Sequence, residues 1–172
     1  MNKKSSFDTI LNLIRLLFVI VVFFSVIALE RAFIIQKIDV FEIESKLLAH
    51  RLILSNEINY VDKDINRQYL GTIDLQKFLS GDIDKRLLES IYYGKINSEA
   101  SAKLTLKDLE NNNEYQVFYN KELYHEKKVI VEAKIIGSGA AKRLDTDFYV
   151  LIKDDDKIKR GALKVEAILP NR

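Results

Sequence analysis

Cysteine is absent from this 172-residue chain, which excludes a disulfide framework, a thiolate nucleophile and sulfur-ligated zinc or iron–sulfur centres. Histidine is nearly absent: only His50 and His125 occur, so any imidazole-based triad or metal site must use one of them. Neither lies in H-E-x-x-H spacing, and no G-x-S-x-G elbow supplies a serine nucleophile. No Asn-x-Ser/Thr acceptor for N-glycans occurs. The expectation is a protein without enzymatic activity, cofactor or metal.

A surplus of charge is missing as well. The chain holds 27 basic and 25 acidic residues; the first 35 residues carry Lys3, Lys4, Arg15 and Arg31 against Asp8 and Glu30, leaving 23 of each sign in the other 137. A balanced domain has no field with which to attract phosphate backbones, so nucleic acid is not expected as a partner.

What is present, and conspicuous, is the run Leu16–Leu29, fourteen residues without a charge and with Ser25 as its one hydroxyl. Extended to Ile35 it reaches twenty residues, which at about 1.5 Å per residue spans the roughly 30 Å of a bilayer core. Lys3 and Lys4 on the N-terminal side predict a cytoplasmic N-terminus and an extracytoplasmic domain. Three segments follow: 1–9 as a cytoplasmic lead, 10–35 as the transmembrane helix, and 36–172 as one α+β domain. A cleaved signal, with Val26-Ile27-Ala28 before Leu29, is the rival reading.

Beyond the run, Val40, Ile43, Leu47, His50 and Leu54 recur at intervals of 3, 4, 3 and 4, placing them on one face of a helix over 39–55. With no Gly or Pro between, the expectation is one long helix, first in lipid and then amphipathic. Residues 56–71 read as a polar loop with a short strand near Tyr60. Thr72–Gly81 reads as a short helix capped by Thr72 or Asp74, and Ile83–Tyr93 as another, with Asp82 as cap, Ile83, Leu87, Leu88 and Ile91 as its buried stripe, and Gly94 as its stop.

Period two takes over after Ser98: Leu104 and Leu106; Tyr115, Val117 and Tyr119 beyond an Asn111–Asn113 turn; Val129, Val131, Ala133 and Ile135, ended by Gly137-Ser138-Gly139; Phe148, Val150 and Ile152; then, after a polar loop over 154–160, Leu163, Val165 and Ala167 up to Pro170. The predicted fold is α+β: a long N-terminal helix packed on a four- to five-stranded antiparallel sheet, with short helices in the connecting segment.

Three features invite a ligand. Asp62-Lys63-Asp64-Ile65-Asn66 starts like a calcium loop, but Arg67 replaces the required glycine and Ile73 the bidentate carboxylate, so an EF-hand is excluded. Asp154-Asp155-Asp156 is most simply a solvated turn. Tyr92, Tyr93, Tyr115, Tyr119, Tyr124 and Tyr149 are candidates for a contact surface, shared with core packing. His50 is read as a packed helix residue and His125 as a solvated loop residue between strands.

The layout resembles type IV pilin-like proteins: Lys3-Lys4-Ser5-Ser6 before Phe7, an apolar helix running into an amphipathic one, a connecting segment and a sheet. Ser6 stands where the prepilin signal has Gly or Ala, and Leu11 where bacterial pilins have glutamate. The segments KLLAHRLILS, GTIDLQKF and FYVLIKDDDKIKRGALKVEAI are also similar to uncharacterised small archaeal single-pass surface proteins. The resemblance implies a membrane-anchored structural or assembly protein, with a filament subunit as its most specific form. Phe18, Val22, Phe23, Val26, Glu30 and Arg31 would pack or pair between neighbouring anchors. Membrane lipid, further copies or other anchored proteins are then the partners. A monomeric tethered ligand-binding or sensor module is the alternative.

Overall fold

The computed structural model describes residues 3–34, 40–91, 99–135, 137 and 139–170, with the side chains of the first helix described over 12–29. The chain divides into two compact units, Met1–Asp39 and Val40–Arg172. The first is helix α1, Lys3–Ile34. Its segment Asn12–Leu29 has a mean hydropathy of 2.6 and no buried residue, long and apolar enough to cross a membrane. The Ser25 hydroxyl donates to the Val21 carbonyl at 2.8 Å, so the one polar side chain between Leu16 and Leu29 is satisfied within the helix.

The second unit opens with α2, Val40–Ile53, whose Ser45, Leu48, Ala49, Leu52 and Ile53 are buried. The expected continuity between α1 and α2 falls on 35–39, outside the described residues. After α2 the expected short strand near Tyr60 is present as β1, Asn59–Asp62, but it belongs to a hairpin, pairing antiparallel with β2, Arg67–Asp74, where the rest of the segment was expected to be loop. Its register jumps from Asn59↔Ile73 to Tyr60↔Tyr69, so one step of β1 takes up three extra residues of β2. Gly71 turns the corner at φ +78°, a conformation open to glycine at no steric cost. An odd number of extra residues reverses the side-chain alternation. Buried Asn59 holds the bulge: its Nδ2 donates to the carbonyls of Ile53 (2.6 Å) and Ser55 (2.8 Å), and its Oδ1 accepts from the Gly71 N–H at 3.2 Å.

The short helices α3, Leu75–Phe78, and α4, Ile83–Ser90, follow. Asp74 caps α3 through the N–H groups of Gln76 and Lys77, whereas Thr72 belongs to β2 and the helix stops before Leu79, short of the expected Gly81. Asp82 stands at the α4 N-cap without a side-chain cap bond. Ile83, Leu87 and Ile91 are buried as the spacing requires, but Leu88 is 38% exposed. Tyr92, Tyr93 and Gly94 lie outside the described residues.

Strands β3, Ser101–Asp108, and β4, Glu114–Tyr119, form the expected hairpin. The segment expected as a strand through Val129, Val131, Ala133 and Ile135 is instead helical: α5 runs Lys121–Glu132 and ends at Ala133. Buried Tyr124 and half-buried Lys127, Lys128, Ile130 and Val131 recur at helical spacing. The alternation of β-branched residues in VIVEAKII is a local preference that packing overrides. Strands β5, Ala141–Asp154, and β6, Lys157–Pro170, then pair over their full length. Their turn is only Asp155-Asp156, with Asp155 at φ +51°, so residues 157–160 are strand where a loop was expected.

The sheet order is β1-β2-β5-β6-β3-β4, six strands. It is mixed, because β2 runs parallel to β5 at Thr72–Asp74, so the expected four- to five-stranded antiparallel sheet is corrected on both counts. The excursion through α3, α4, β3, β4 and α5 between β2 and β5 gives the crossover a parallel pair needs. Leu104, Leu106, Val117, Tyr119, Val150, Ile152, Leu163, Val165 and Ala167 point to one face and meet Leu48, Leu52, Phe78, Ile83 and Leu87 from α2, α3 and α4. Each Leu, Ile, Val or Phe among them contributes about 1.5–3 kcal/mol when fully buried. Gly161 keeps this face closed: a Cβ there would stand 2.6 Å from the Ile152 Cδ1 and 3.1 Å from the Lys107 carbonyl. On the other face α5 covers only one end, packing Tyr124, Ile130 and Val131 over Phe118, Ala141 and Ile168.

Candidate functional site

The sequence drew attention to the Asp62 loop, and the structure gives it a cleft of about 690 Å³, lined by Asn56, Glu57, Tyr60, Asp62, Asp64, Asp74 and Lys77 among others. Most of its polar groups already have structural duties. The Asp62 Oδ1 accepts from the Asp64 N–H at 3.0 Å and closes the β1–β2 turn, with Asn66 left-handed at φ +47°. Asp74 caps α3. The Lys77 ammonium donates to the carbonyls of Asn59 (2.9 Å) and Asn56 (3.2 Å), and Glu57 pairs with Arg86 at 3.2 Å. Tyr60 stacks near Tyr69 with ring centroids 5.7 Å apart, and the Lys153 ammonium lies 4.7 Å from its ring. Among the described residues no three His, Asp or Glu side chains converge as a metal centre.

A second cluster went unread in the sequence because its members lie far apart in the chain. The Glu166 carboxylate, nearly buried on β6, accepts from the Tyr124 hydroxyl of α5 at 2.7 Å and pairs with Lys103 of β3 at 3.0 Å. Lys164 lies 3.6 Å from Glu166 and 3.0 Å from Asp145, which in turn meets Arg143 at 3.1 Å. Burial pushes the Glu166 carboxyl up, but Tyr124, Lys103 and Lys164 more than offset it and hold it below its ordinary value. Burial and then Glu166 push the Tyr124 phenol up, and Asp145 does the same for the Lys164 ammonium. Glu and Tyr are frequent residues, so only the cross-strand register Lys103↔Glu166↔Asp145 points to the network, and that register is a tertiary fact.

The third cluster joins two turns. The Asp108 carboxylate accepts from the Asn111 side chain (2.9 Å) and from the N–H groups of Glu110 (2.8 Å) and Asn111 (3.1 Å), with Lys159 at 3.9 Å. The Asn111 amide first, then these backbone groups and Lys159, outweigh burial and hold the carboxyl low. Lys159 reaches Asp154 at 2.6 Å, which raises its pKa. Asp154 is thereby used as an ion-pair partner, while Asp155 and Asp156 form the turn.

Tyr115, Tyr119, Tyr124 and Tyr149, the described members of the expected tyrosine set, do not form one surface. Tyr119 and Tyr124 are buried, Tyr115 is half-buried, and Tyr149 stands 93% exposed on the open face. His125 is on α5 rather than in a loop, exposed but with ring centroids 5.3 Å from Phe118 and 5.9 Å from Tyr124. His50 is exposed on α2, its ring 5.5 Å from that of Phe148.

On α1, Phe18, Val22, Phe23 and Val26 come together with Val19 along a shallow apolar groove. These side chains are all exposed. The side chains of Glu30 and Arg31 lie outside the described residues. The α2 stripe is turned opposite to expectation: Val40, Ile43, Leu47 and Leu54 are exposed, while Leu48, Ala49, Leu52 and Ile53 face the sheet. Comparison with protein-family models, with curated proteins and with solved structures finds no match to this chain.

Proposed function

We propose that the chain is a non-enzymatic, single-pass membrane protein with a structural or assembly role at the cell surface, a pilin-like filament subunit being its most specific form. The observation that carries this reading is the contrast between α1, predominantly apolar and without a buried residue over Asn12–Leu29, and a second unit that closes its own core. A helix apolar all round finds its solvent in lipid or in other such helices. In this reading the N-terminus is cytoplasmic and the second unit lies outside. Phe18, Val22, Phe23 and Val26 pack between neighbouring anchors, and Glu30 and Arg31 pair at the outer edge.

The electrostatics support a structural role. Among the described residues, the groups whose pKa values are displaced move away from neutrality, Asp108 and Glu166 down and Tyr124, Lys159 and Lys164 up. General acid–base catalysis calls for tuning toward neutrality. The alternative, a monomeric tethered ligand-binding module, draws on the cleft beside Asp62. The engaged state of Asp62, Asp74, Lys77 and Glu57 weighs against it.

Extraction and terminal sequencing test the reading together. Membranes washed with alkaline carbonate retain the chain and release it only to detergent, with Met1 or, after pilin-type processing, Phe7 at the mature terminus. A mature terminus at Leu29 overturns the anchor. In mild detergent the chain sediments as ordered oligomers that Glu30→Ala or Arg31→Ala disperses; a monomer indifferent to both changes removes the assembly role.

A further inference from the structure

Strand β5 lies inside the sheet order, yet most of its length has a strand on one side only. It pairs with β6 from Ala141 to Asp154, but β2 joins its other side only at Leu151, Ile152 and Lys153. Gly71, left-handed at φ +78°, turns the rest of β2 away to pair with β1. Over 141–150 the outward N–H and C=O groups of β5 therefore have no partner among the described residues. The main chain there faces solvent: Asp145 is exposed although its side chain is only 30% exposed. The two end strands of the sheet are defended instead. On β4 the Phe118 N–H donates to the Asp84 carboxylate of α4 at 2.8 Å, and β1 is four residues long.

We propose that this edge pairs, antiparallel and about a two-fold axis, with the same edge of a second copy. An open ladder of main-chain groups is completed by another strand. Charge selects the copy and the register. Two-fold antiparallel pairing keeps like faces together, so each residue opposes one of its own parity. Centring on Lys142, Arg143, Asp145 or Asp147 sets a charge against its own copy, and centring on Thr146 sets Asp145 against Asp147. At or beyond Phe148, no more than 146–150 can pair before β2 takes Leu151. Centring on Leu144 pairs 141–147 with no like charges opposed: Leu144 meets its own copy, Lys142 meets Thr146, and Arg143 meets Asp145 on both sides of the axis. Arg143 and Asp145 already pair within the strand at 3.1 Å. The two copies lay these pairs head to tail, so each is kept and closed into a ring of alternating charge. The contact uses up the edge on both copies and leaves no ladder to propagate. Main-chain bonds rather than apolar area hold it, so it is weak between free molecules and effective where anchors confine both copies to one membrane. The proposal rests on the membrane-anchored assembly reading and names one of its surfaces.

The absence of cysteine makes the test direct. Single-cysteine full-length chains are reconstituted in phosphatidylcholine vesicles and mildly oxidised: Leu144→Cys on the axis, Phe23→Cys in α1, and Asp147→Cys as the control. Asp147 lies on the same strand, but in this register its two copies stand about 20 Å apart. Circular dichroism confirms that each variant is folded. Disulfide-linked dimer from Leu144→Cys is expected to form at least tenfold faster than from Asp147→Cys. If Leu144→Cys is no faster than the control while Phe23→Cys is, the edge is not the interface and assembly through α1 stands. If neither exceeds the control, the chain is monomeric and both readings fall. If Leu144→Cys alone is fast, the pairing holds and the α1 contact falls. Hydrogen exchange reads the main chain without any substitution. Amides over 141–147 are expected to exchange at least threefold more slowly when the number of copies per vesicle is raised, and rates that ignore copy number overturn the pairing.

Discussion

The two faces of the sheet are built on different terms. On the covered face Leu104, Leu106, Leu163 and Val165 lie under α2, α3 and α4, with Phe78 fully buried among them. On the opposite face Lys103, Glu166, Asp145 and Lys164 form a charged ladder near the end that α5 covers, and Tyr149, Leu151 and Ile158 lie in solvent toward the other. Stability on the first face scales with apolar area and tight packing, and its failures are cavities. On the second it depends on whether one carboxylate keeps its partners. There α5 docks by packing Tyr124, Ile130 and Val131 on Phe118 and Ile168 and by the Tyr124–Glu166 hydrogen bond.

The comparison breaks most sharply at Phe78. Phe78→Ala is expected to destabilise the unit by about 3–5 kcal/mol, read as a lowered urea midpoint with unchanged slope, because the α3 side chain has no replacement in a closed core. A loss under 1 kcal/mol would mean that α3 is peripheral to the core.

The ladder comes next. Glu166→Gln is expected to cost about 1–2 kcal/mol at neutral pH, hydrogen bonds to a charged group being discounted for partial solvation. The folded carboxyl titrates below its ordinary 4.5, so the unfolded state takes up the proton first. The contribution is complete above the unfolded value and is lost as pH falls through the folded one. The native chain therefore loses stability on acidification below about 4.5, and Glu166→Gln shows a shallower fall. Asp108, also held low, keeps part of the acid sensitivity in the variant. Equal slopes in the two proteins would show that Glu166 gains nothing from its partners.

The smallest effect belongs to the solvated part of the open face. Tyr149→Ser is expected to change stability by no more than about 0.5 kcal/mol, the side chain being almost wholly in water. A larger loss in the same urea experiment would reveal a packing role for this face.

How much of this was legible varied with the kind of segment. The inner faces of β3, β4, β5 and β6 were readable because alternation in LTL, YQVFY, FYVLI and ALKVEA matches a strand half buried on one side. α5 was misread because β-branched residues alternate in its second half, and only the docking of Tyr124, Ile130 and Val131 on Phe118 and Ile168 makes the helix worthwhile. The α2 stripe was found and assigned to the wrong side. The helix carries apolar residues on both sides, so periodicity gives a helix without saying which face meets the sheet. The hairpin before α3 was hidden by its polar composition and by the Gly71 bulge, which reverses the alternation a strand reading relies on.

The polar clusters divide in the same way. The Asp62 turn and the Asp74 cap are local, made by bonds to residues two or three positions away, and were visible as motifs. The Glu166 network joins α5, β3, β5 and β6, its hydroxyl and its carboxylate standing 42 positions apart in the chain, and left no trace in spacing.

By itself, the sequence determined what depends on neighbours along the chain: an apolar helix long enough for a membrane, four strands with their inner faces, the Asp74 cap, the turn at Asn111–Asn113, and the lack of any thiol. The tertiary structure alone decided the parallel β2–β5 contact, the helical state of α5, the side of α2 that is buried and the company Glu166 keeps. Each of these is settled by which surfaces meet after the chain has folded back on itself, where packing free energy outweighs the small differences in local preference between helix and strand.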